Sequence, residues 1–345
     1  MIDSAPRPDE TVSGRKSSAL GRWLRCGVTG LAGGLILLIL AGVIFQALGE
    51  AADVRRYPPP GRMVDVGGYR MHIHCTGQGS PTVILDHVAV TNSAQWGLIQ
   101  PQVSEATQVC AYDRAGFGWS DLGPAPRDTI RNALELHTLL AEAGIPGPYL
   151  LVGHSYGGNV ARVYAMKYPE EVAGIVLVDP GIVHDRPGVP VEVNEQWKER
   201  PFIARAIPWL TRIGLMRLAA LGGIPGYGDL PEEDGKAFAA LQLTAKQWRT
   251  LEEIYAAFPA MSGQVLEAEK HLGGIPISVL SAELPLNDPG RQAWTEVNAA
   301  LAGMGENGSH RVVPGSDHMS FALKREHAQI TSETILEMVK ALQDD

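Results

Sequence analysis

Residues Tyr149–Gly158 read YLLVGHSYGG, and this stretch decides the fold. An apolar run of strand length ends at Gly153, and a helical pattern begins directly after Ser155. Glycines on both sides allow a sharp turn, which holds the Ser155 hydroxyl exposed at the carboxyl edge of a sheet. The start of the following helix points its free N–H groups and positive dipole end at the same place. The stretch therefore predicts a strand, a tight turn carrying a reactive serine, and a helix.

The pattern Gly153-x-Ser155-x-Gly157 resembles the nucleophile elbow of the α/β-hydrolase superfamily. The segment Asp113–Asp121, DRAGFGWSD, also resembles a structural loop of many members, in which we expect Asp113 and Arg114 to order the loop. The resemblance covers roughly residues 60–345 and implies a mostly parallel eight-stranded sheet flanked by helices, with Ser155 as nucleophile. Serine at the elbow disfavours the dehalogenase and epoxide-hydrolase branches, which use aspartate there.

Composition limits the class of partner. A chain of 345 residues fits one large α/β domain with an insertion. The net charge of −9, without a clustered basic face, argues against nucleic-acid binding. Three cysteines lack the spacing of a zinc site. His72 and His74 share one face of a predicted strand with no third ligand nearby, so we interpret them as solvent-facing. We expect a small-molecule substrate, no metal and no cofactor.

The N-terminal region predicts a membrane anchor. Residues 27–48 carry no charge and are long enough to span a bilayer, which needs about 20 apolar residues. Residues 1–26 predict a disordered tail, and residues 49–61 a proline-rich linker. A cleaved signal peptide is the alternative, because Ala47–Gly49 resembles a cleavage site. Since signal cores run only about 7–15 residues, we predict an uncleaved single-pass anchor.

The orientation of this anchor follows from a slight charge bias. Positive residues before the span favour a cytoplasmic tail and an extracytoplasmic catalytic domain; they are Arg15, Lys16, Arg22 and Arg25, against Arg55, Arg56 and Arg62 after it. The resemblance makes the strands of Cys75 and Cys110 neighbours. A disulfide between them is favoured in an oxidising compartment, and two buried thiols are the alternative.

The superfamily resemblance divides the rest of the chain into two parts. The α/β-hydrolase core comprises residues 62–182 and 273–345, and residues 183–272 form a helical lid. Within the lid, a longer helix is predicted from Ala245 to Phe258. Its tryptophans and methionines suggest a substrate with an apolar acyl or alcohol part.

The loop after the predicted strand Thr82–Asp86 departs from the family pattern. The resemblance assigns the oxyanion hole to the backbone N–H groups of Tyr156 and Ala89. Val88 stands where the family carries glycine, and a β-branched residue with positive φ would be strained. The role of Ala89 therefore depends on the shape of this loop. His87 is either a hydrogen-bonding partner of the loop or a substrate contact.

The general base and its acid partner come from loops after strands. His318 follows the predicted final strand, Arg311–Val313, where the resemblance places the base. We predict Asp179, at the end of the strand Val172–Val178, as the acid; Glu283 and Asp288, after the next strand, stay open as alternatives. Asp288 is also explained as the N-cap of a helix over residues 288–304.

These residues predict a serine hydrolase that cleaves a carboxylic ester through a Ser-His-Asp triad and an acyl-enzyme. Cleavage of an amide, as in iminopeptidases, or of a carbon–carbon bond is the alternative, because the same triad serves both. A hydrolase fold kept as a binding protein, with Val88 spoiling the oxyanion loop, is the alternative of another class.

Overall fold

The computed structural model describes residues 18–181, 183, 186, 202–221, 227–283 and 289–344. The strands in these residues are β1 (Arg62–Asp65), β2 (Arg70–Thr76), β3 (Thr82–Asp86), β4 (Val109–Tyr112), β5 (Tyr149–His154), β6 (Val172–Val178), β7 (Pro276–Ala282) and β8 (Glu306–Val313). They form one sheet in the order β1-β2-β4-β3-β5-β6-β7-β8. β2 pairs antiparallel with both β1 and β4, and the other neighbouring strands pair parallel. The predicted mostly parallel eight-stranded sheet is confirmed.

Helices precede and flank this sheet. They are α1 (Ser18–Arg56), α2 (Gln100–Val103), α3 (Thr129–Glu142), α4 (Tyr156–Lys167), α5 (Phe202–Arg212), α6 (Leu215–Ala220), α7 (Glu232–Gln242), α8 (Ala245–Glu269), α9 (Pro289–Ala302), α10 (Ser320–Leu323) and α11 (Arg325–Asp344). The described part of the predicted lid contains α5 to α8 and no strand. Asp128 is the N-cap of α3, because its carboxylate accepts from the Arg131 N–H at 2.8 Å.

The sheet is the middle of three layers. Along β6, Ile175 and Leu177 pack with α3, α4 and α8, whereas Val176 and Val178 pack with α11 on the opposite face. Because both faces are buried, the central strands read as continuous apolar runs. The carboxyl ends of the parallel strands therefore meet at one edge, where the loops after β3, β5, β6 and β8 lie together.

The N-terminal helix is longer than predicted. α1 begins at Ser18, inside the expected tail, and ends at Arg56, inside the expected linker. Charges such as Arg22 do not stop a helix, and the alanines after Leu48 favour one. The helix ends shortly before Pro58, because proline lacks an N–H and restrains the residue before it. The extended linker is therefore limited to the few residues before β1.

The longest helix in the predicted lid segment also continues beyond its predicted end. α8 continues beyond Phe258 and through Pro259 to Glu269. An interior proline costs about 3 kcal/mol. Burial of a large apolar side chain contributes about 1.5–3 kcal/mol, and Met261 and Val265 beyond the proline are fully buried. Packing of the last turns against the core therefore outweighs the proline.

The prediction of solvent-facing histidines on β2 is wrong for His72. Its ring is fully buried, and its Nδ1 lies 2.9 Å from Asp113 Oδ2. Asp113 also accepts from the N–H groups of Ser93 at 2.7 Å and Trp119 at 3.1 Å. Burial would raise the pKa of Asp113, but the hydrogen bond and charge of His72 hold it well below its usual value. His72 therefore helps to order the loop after β4.

Candidate active site

The turn after β5 holds Ser155 in a strained backbone conformation. Ser155 has φ 56° and ψ −117°, which a residue with a side chain rarely adopts. Gly157 lies so close to the end of β3 that a Cβ there would be 2.6 Å from the Asp86 carbonyl oxygen. Any larger residue at position 157 would therefore clash with the backbone of β3. Ser155 lies between β5 and the first turn of α4, as the sequence predicts.

The structure brings His318 and Asp179 together. His318 Nδ1 lies 2.6 Å from Asp179 Oδ2, and the His318 side chain is 28% exposed whereas Asp179 is fully buried. The rings of His318 and His154, the residue before Ser155, are 5.2 Å apart between centroids. The histidine after β8 therefore lies beside the serine turn, on the carboxylate that follows β6.

Asp179 has two further partners. Its Oδ1 accepts from the Ala282 N–H at 3.0 Å and from Arg291 Nη1 at 3.0 Å, and Oδ2 lies 3.2 Å from the same nitrogen. Burial would raise the pKa of this carboxyl, but the His318 hydrogen bond and the charges of His318 and Arg291 lower it below its ordinary value. Asp179 is therefore an anion with every close partner donating to it.

The other acid candidates are placed differently. Glu283 Oε2 accepts from the Gly315 N–H at 2.8 Å, so this carboxylate binds the backbone of the loop before His318 rather than its ring. Asp288 lies outside the described residues. Of the candidates that the structure describes, only Asp179 makes a hydrogen bond to His318.

The loop after β3 is shaped without positive φ at Val88. Among the described residues, the non-glycine positions with positive φ are Ser155, Asp179 and Asn307, so Val88 is not strained. Arg114 donates to the carbonyl oxygens of His87 and Val88 at 2.7 and 2.8 Å. These contacts agree with the predicted ordering role of Arg114.

His87 belongs to the support of this loop. The residue is fully buried, and its Nδ1 lies 2.8 Å from the Val88 carbonyl oxygen. Burial and the neighbouring Arg114 charge lower the pKa of His87 well below its ordinary value, so the ring is neutral. Of the two predicted roles, the structure supports hydrogen bonding to the loop.

A chain of hydrogen bonds joins this loop to His318. Gln95 Oε1 accepts from the Val88 N–H at 3.3 Å, and Gln95 Nε2 donates to His154 Nδ1 at 3.3 Å. His154 Nε2 in turn donates to the His318 carbonyl oxygen at 2.7 Å. Burial, and then the charge of His318, lower the pKa of His154 to about 3. A neutral His154 protonated on Nε2 therefore fixes the backbone of His318.

Sequence reasoning missed Arg291, Gln95 and the role of His154. The position of His154 between Gly153 and Ser155 of the elbow pattern could have indicated a role at the site. The sequence contains no local signal for Arg291 or Gln95, because each contacts its partner across the fold.

Trp294, one turn after Arg291, donates to the Pro180 carbonyl oxygen at 2.7 Å and lies 5.8 Å from the His318 ring between centroids.

Known proteins share this fold. Residues 81–205 match a family model described as alpha/beta hydrolase fold. Among solved structures, the epoxide hydrolase CorEH aligns with TM-score 0.64 and 22% identity over 81% of this chain and 98% of that one. A thermophilic esterase from Thermogutta terrifontis aligns with TM-score 0.58 and 21% identity over 81% and 97%. With its sheet order and serine turn, the chain therefore has the α/β-hydrolase fold.

Curated relatives match shorter stretches of the chain. The uncharacterized protein YqjL of Bacillus subtilis is 24% identical over 255 residues, which is 71% of this chain and 83% of that protein. A 2-hydroxymuconate semialdehyde hydrolase of a Pseudomonas species is 32% identical over 124 residues, which is 35% of this chain and 44% of that protein. Apart from YqjL, the chain matches less than half the length of the first curated relatives.

Proposed function

We propose that the protein is a membrane-anchored serine hydrolase that cleaves a carboxylic ester. The observation that carries the proposal is the 2.6 Å hydrogen bond from His318 Nδ1 to the buried Asp179 carboxylate, beside the strained Ser155 turn. A serine hydroxyl is a poor nucleophile unless a base accepts its proton, and that base needs an anion to fix its tautomer.

In the proposed mechanism, the Ser155 hydroxyl attacks the ester carbonyl carbon while His318 Nε2 accepts its proton. Asp179 keeps the His318 proton on Nδ1 and stabilises the imidazolium. The backbone N–H groups of Tyr156 and Ala89 donate to the oxyanion. His318 then protonates the leaving alcohol, and the acyl-enzyme is hydrolysed by water that His318 activates.

A fluorophosphonate probe tests this mechanism directly. Ser155 of the wild-type protein should be labelled covalently, Ser155→Ala should not be labelled, and His318→Ala should lose most of the labelling. An intact, folded protein that neither labels nor hydrolyses any ester would contradict the enzyme proposal and favour a binding protein.

A panel of substrates then separates the reaction classes. p-Nitrophenyl esters of graded chain length report the acyl preference, and an amide panel tests the iminopeptidase-like alternative. 2-Hydroxymuconate semialdehyde is included because a relative of 32% identity is named as its hydrolase. Faster turnover of that compound than of every ester would replace the ester proposal by carbon–carbon bond hydrolysis.

Localisation rests on α1, which contains a stretch long and apolar enough to cross a membrane or to act as a signal sequence. Retention of α1 as an anchor is supported by its contacts. Gln46 is only 3% exposed, and its Nε2 donates to the Leu243 carbonyl oxygen at 2.6 Å. Asp53 forms an ion pair with Arg217 at 2.7 Å. Cleavage near Gly49 would remove the first of these contacts.

An extracytoplasmic position of the catalytic domain is supported by the cysteines. Cys75 and Cys110 are direct partners in the β2–β4 register and form a disulfide. Disulfides persist mainly in oxidising compartments. Non-reducing mass mapping of protein from its native membrane should recover the bridge, and protease added to intact cells or spheroplasts should cleave the domain. Free thiols and a protected domain would place it in the cytoplasm instead.

A further inference from the structure

The lid helices α5 and α6, with the residue that follows α6, carry exposed apolar side chains that we call the lid surface: Trp209, Leu215, Leu218 and Leu221. Outside α1, the described residues have seven exposed large apolar side chains, and four of them lie in this short segment. Exposed apolar side chains scattered singly are ordinary, whereas larger exposed apolar patches mark protein or membrane contacts.

The lid surface lies beside the apolar part of α1. Gly42 of α1 touches the Ile213 carbonyl, at the junction of α5 and α6. A Cβ at Gly214 would lie 2.7 Å from the Gly42 carbonyl oxygen and 3.1 Å from Phe45 Cδ1. The two backbones therefore meet at a pair of glycines, and the docking face of α1 continues through Gln46 and Asp53.

The depth of this contact follows from helix geometry. Residues 27–48 of α1 extend over about 33 Å at roughly 1.5 Å per residue, close to the ~30 Å hydrocarbon thickness of a bilayer. Gly42 lies six residues before Leu48, and therefore about 9 Å inside the end of this apolar stretch. Amphipathic helices that bind membranes lie about 5–10 Å into the boundary between headgroups and acyl chains.

The charge of the segment also fits a membrane surface. Residues 202–221 contain Arg205, Arg212 and Arg217 but no acidic residue, in a chain of net charge −9. Arg217 is paired with Asp53, and the Arg212 guanidinium lies 4.9 Å from the centroid of the Trp209 ring. Tryptophan is enriched at the membrane interface, and a long arginine side chain can lie along apolar surface while its charge stays in water.

We infer that the lid surface is seated in the bilayer leaflet at the carboxyl end of α1. The inference rests on the proposed membrane anchor and goes beyond it, because a tether alone would leave the lid in water. The occupant of the lid surface is then lipid, rather than a second copy of the chain or another protein.

Spin labels on the full-length protein in vesicles of phosphatidylcholine and phosphatidylglycerol test this placement. Cys26→Ser removes the exposed free thiol. Single labels are then attached at Leu218→Cys on the lid surface, at Leu134→Cys as a matched exposed leucine on the core, and at Leu35→Cys in α1. Accessibility to oxygen, which partitions into lipid, is compared with accessibility to a water-soluble nickel chelate.

Labels that replace Leu35 and Leu218 should be more accessible to oxygen than to the nickel chelate. The label that replaces Leu134 should be more accessible to the nickel chelate. If the label at Leu35 is more accessible to oxygen but the label at Leu218 has the accessibility of the label at Leu134, the lid surface lies in water. The inference then fails while the proposed anchor stands. Shielding of Leu218 from both reagents would show a protein contact and would also overturn it. If the label at Leu35 is more accessible to the nickel chelate, the proposed anchor is refuted, and the inference is refuted as well.

Discussion

Replacing Asp179 by asparagine changes one atom at the centre of the proposed triad. Three groups surround the wild-type carboxylate, and all of them donate: His318 Nδ1 at 2.6 Å, the Ala282 N–H at 3.0 Å and Arg291 Nη1 at 3.0 Å. An asparagine side chain has one oxygen and one NH2 group, so its NH2 must face a donor in either orientation.

The two orientations differ in their consequence. With the NH2 toward the Ala282 N–H and Arg291, buried donors are left unpaired at a cost of about 1–3 kcal/mol each. With the NH2 toward His318, the ring can adapt by moving its proton to Nε2. Because that nitrogen can then no longer accept the Ser155 proton, we expect kcat to fall about 10⁴-fold, as in triads generally. This loss corresponds to about 5 kcal/mol of transition-state stabilisation.

The assay is steady-state hydrolysis of a p-nitrophenyl ester by wild type, Asp179→Asn and Glu283→Gln, with thermal unfolding measured for each. Glu283→Gln is the matched control, because its carboxylate binds the Gly315 N–H rather than the His318 ring. A folded Asp179→Asn protein within tenfold of wild-type kcat would refute the reasoning, and a severe loss in Glu283→Gln would transfer the role to that residue.

Three further predictions concern the supports of the site. Gln95→Leu removes the link between the Val88 N–H and His154, so kcat should fall with little change in KM; an unchanged kcat would mean that the link has no positioning role. Because the pKa of His154 is lowered to about 3, only the unfolded chain binds a proton on this residue as pH falls below about 6.5. Wild type should therefore lose up to about 1.4 kcal/mol of stability per pH unit between about 6 and 4 relative to His154→Gln, and parallel melting-temperature profiles would contradict this. Glu50→Ala removes the carboxylate that accepts from the Ala245 N–H at 2.7 Å at the start of α8, so the free energy of unfolding should fall by about 1 kcal/mol. Glu50→Gln should lose less, and equal melting temperatures of all three proteins would exclude a capping role.

Local patterns were sufficient for the centre of the fold. The apolar run before Ser155, the glycines around it and the helical pattern after it predicted the turn, because each of these signals acts within a few residues. The apolar strand β6 placed Asp179 at its end, and the final strand placed His318 after it. These two residues are 139 positions apart, and only the superfamily's sheet order brought them together in the prediction.

Features that depend on tertiary contacts could not be predicted in the same way. Pro259 is a helix-breaking signal, and its neighbourhood stays helical because residues far along the chain pack against α8. The burial of His72 requires Asp113, which lies in the loop after β4. Arg291 likewise binds Asp179 from a helix that follows a different part of the sheet. Such pairings depend on the assembled fold rather than on any local period.

α1 is a single helix from Ser18 to Arg56, and the last part of it holds the lid through Gln46, Glu50 and Asp53. The first turn of α8, which Glu50 holds, reaches the loop after β3, because Gln247 Nε2 donates to the Val90 carbonyl oxygen at 2.9 Å. A spanning helix responds to bilayer thickness by tilting. In the proposed membrane-anchored protein, α1 would transmit such a tilt to the lid through these contacts, so the thickness of the surrounding membrane would bear on the position of the lid.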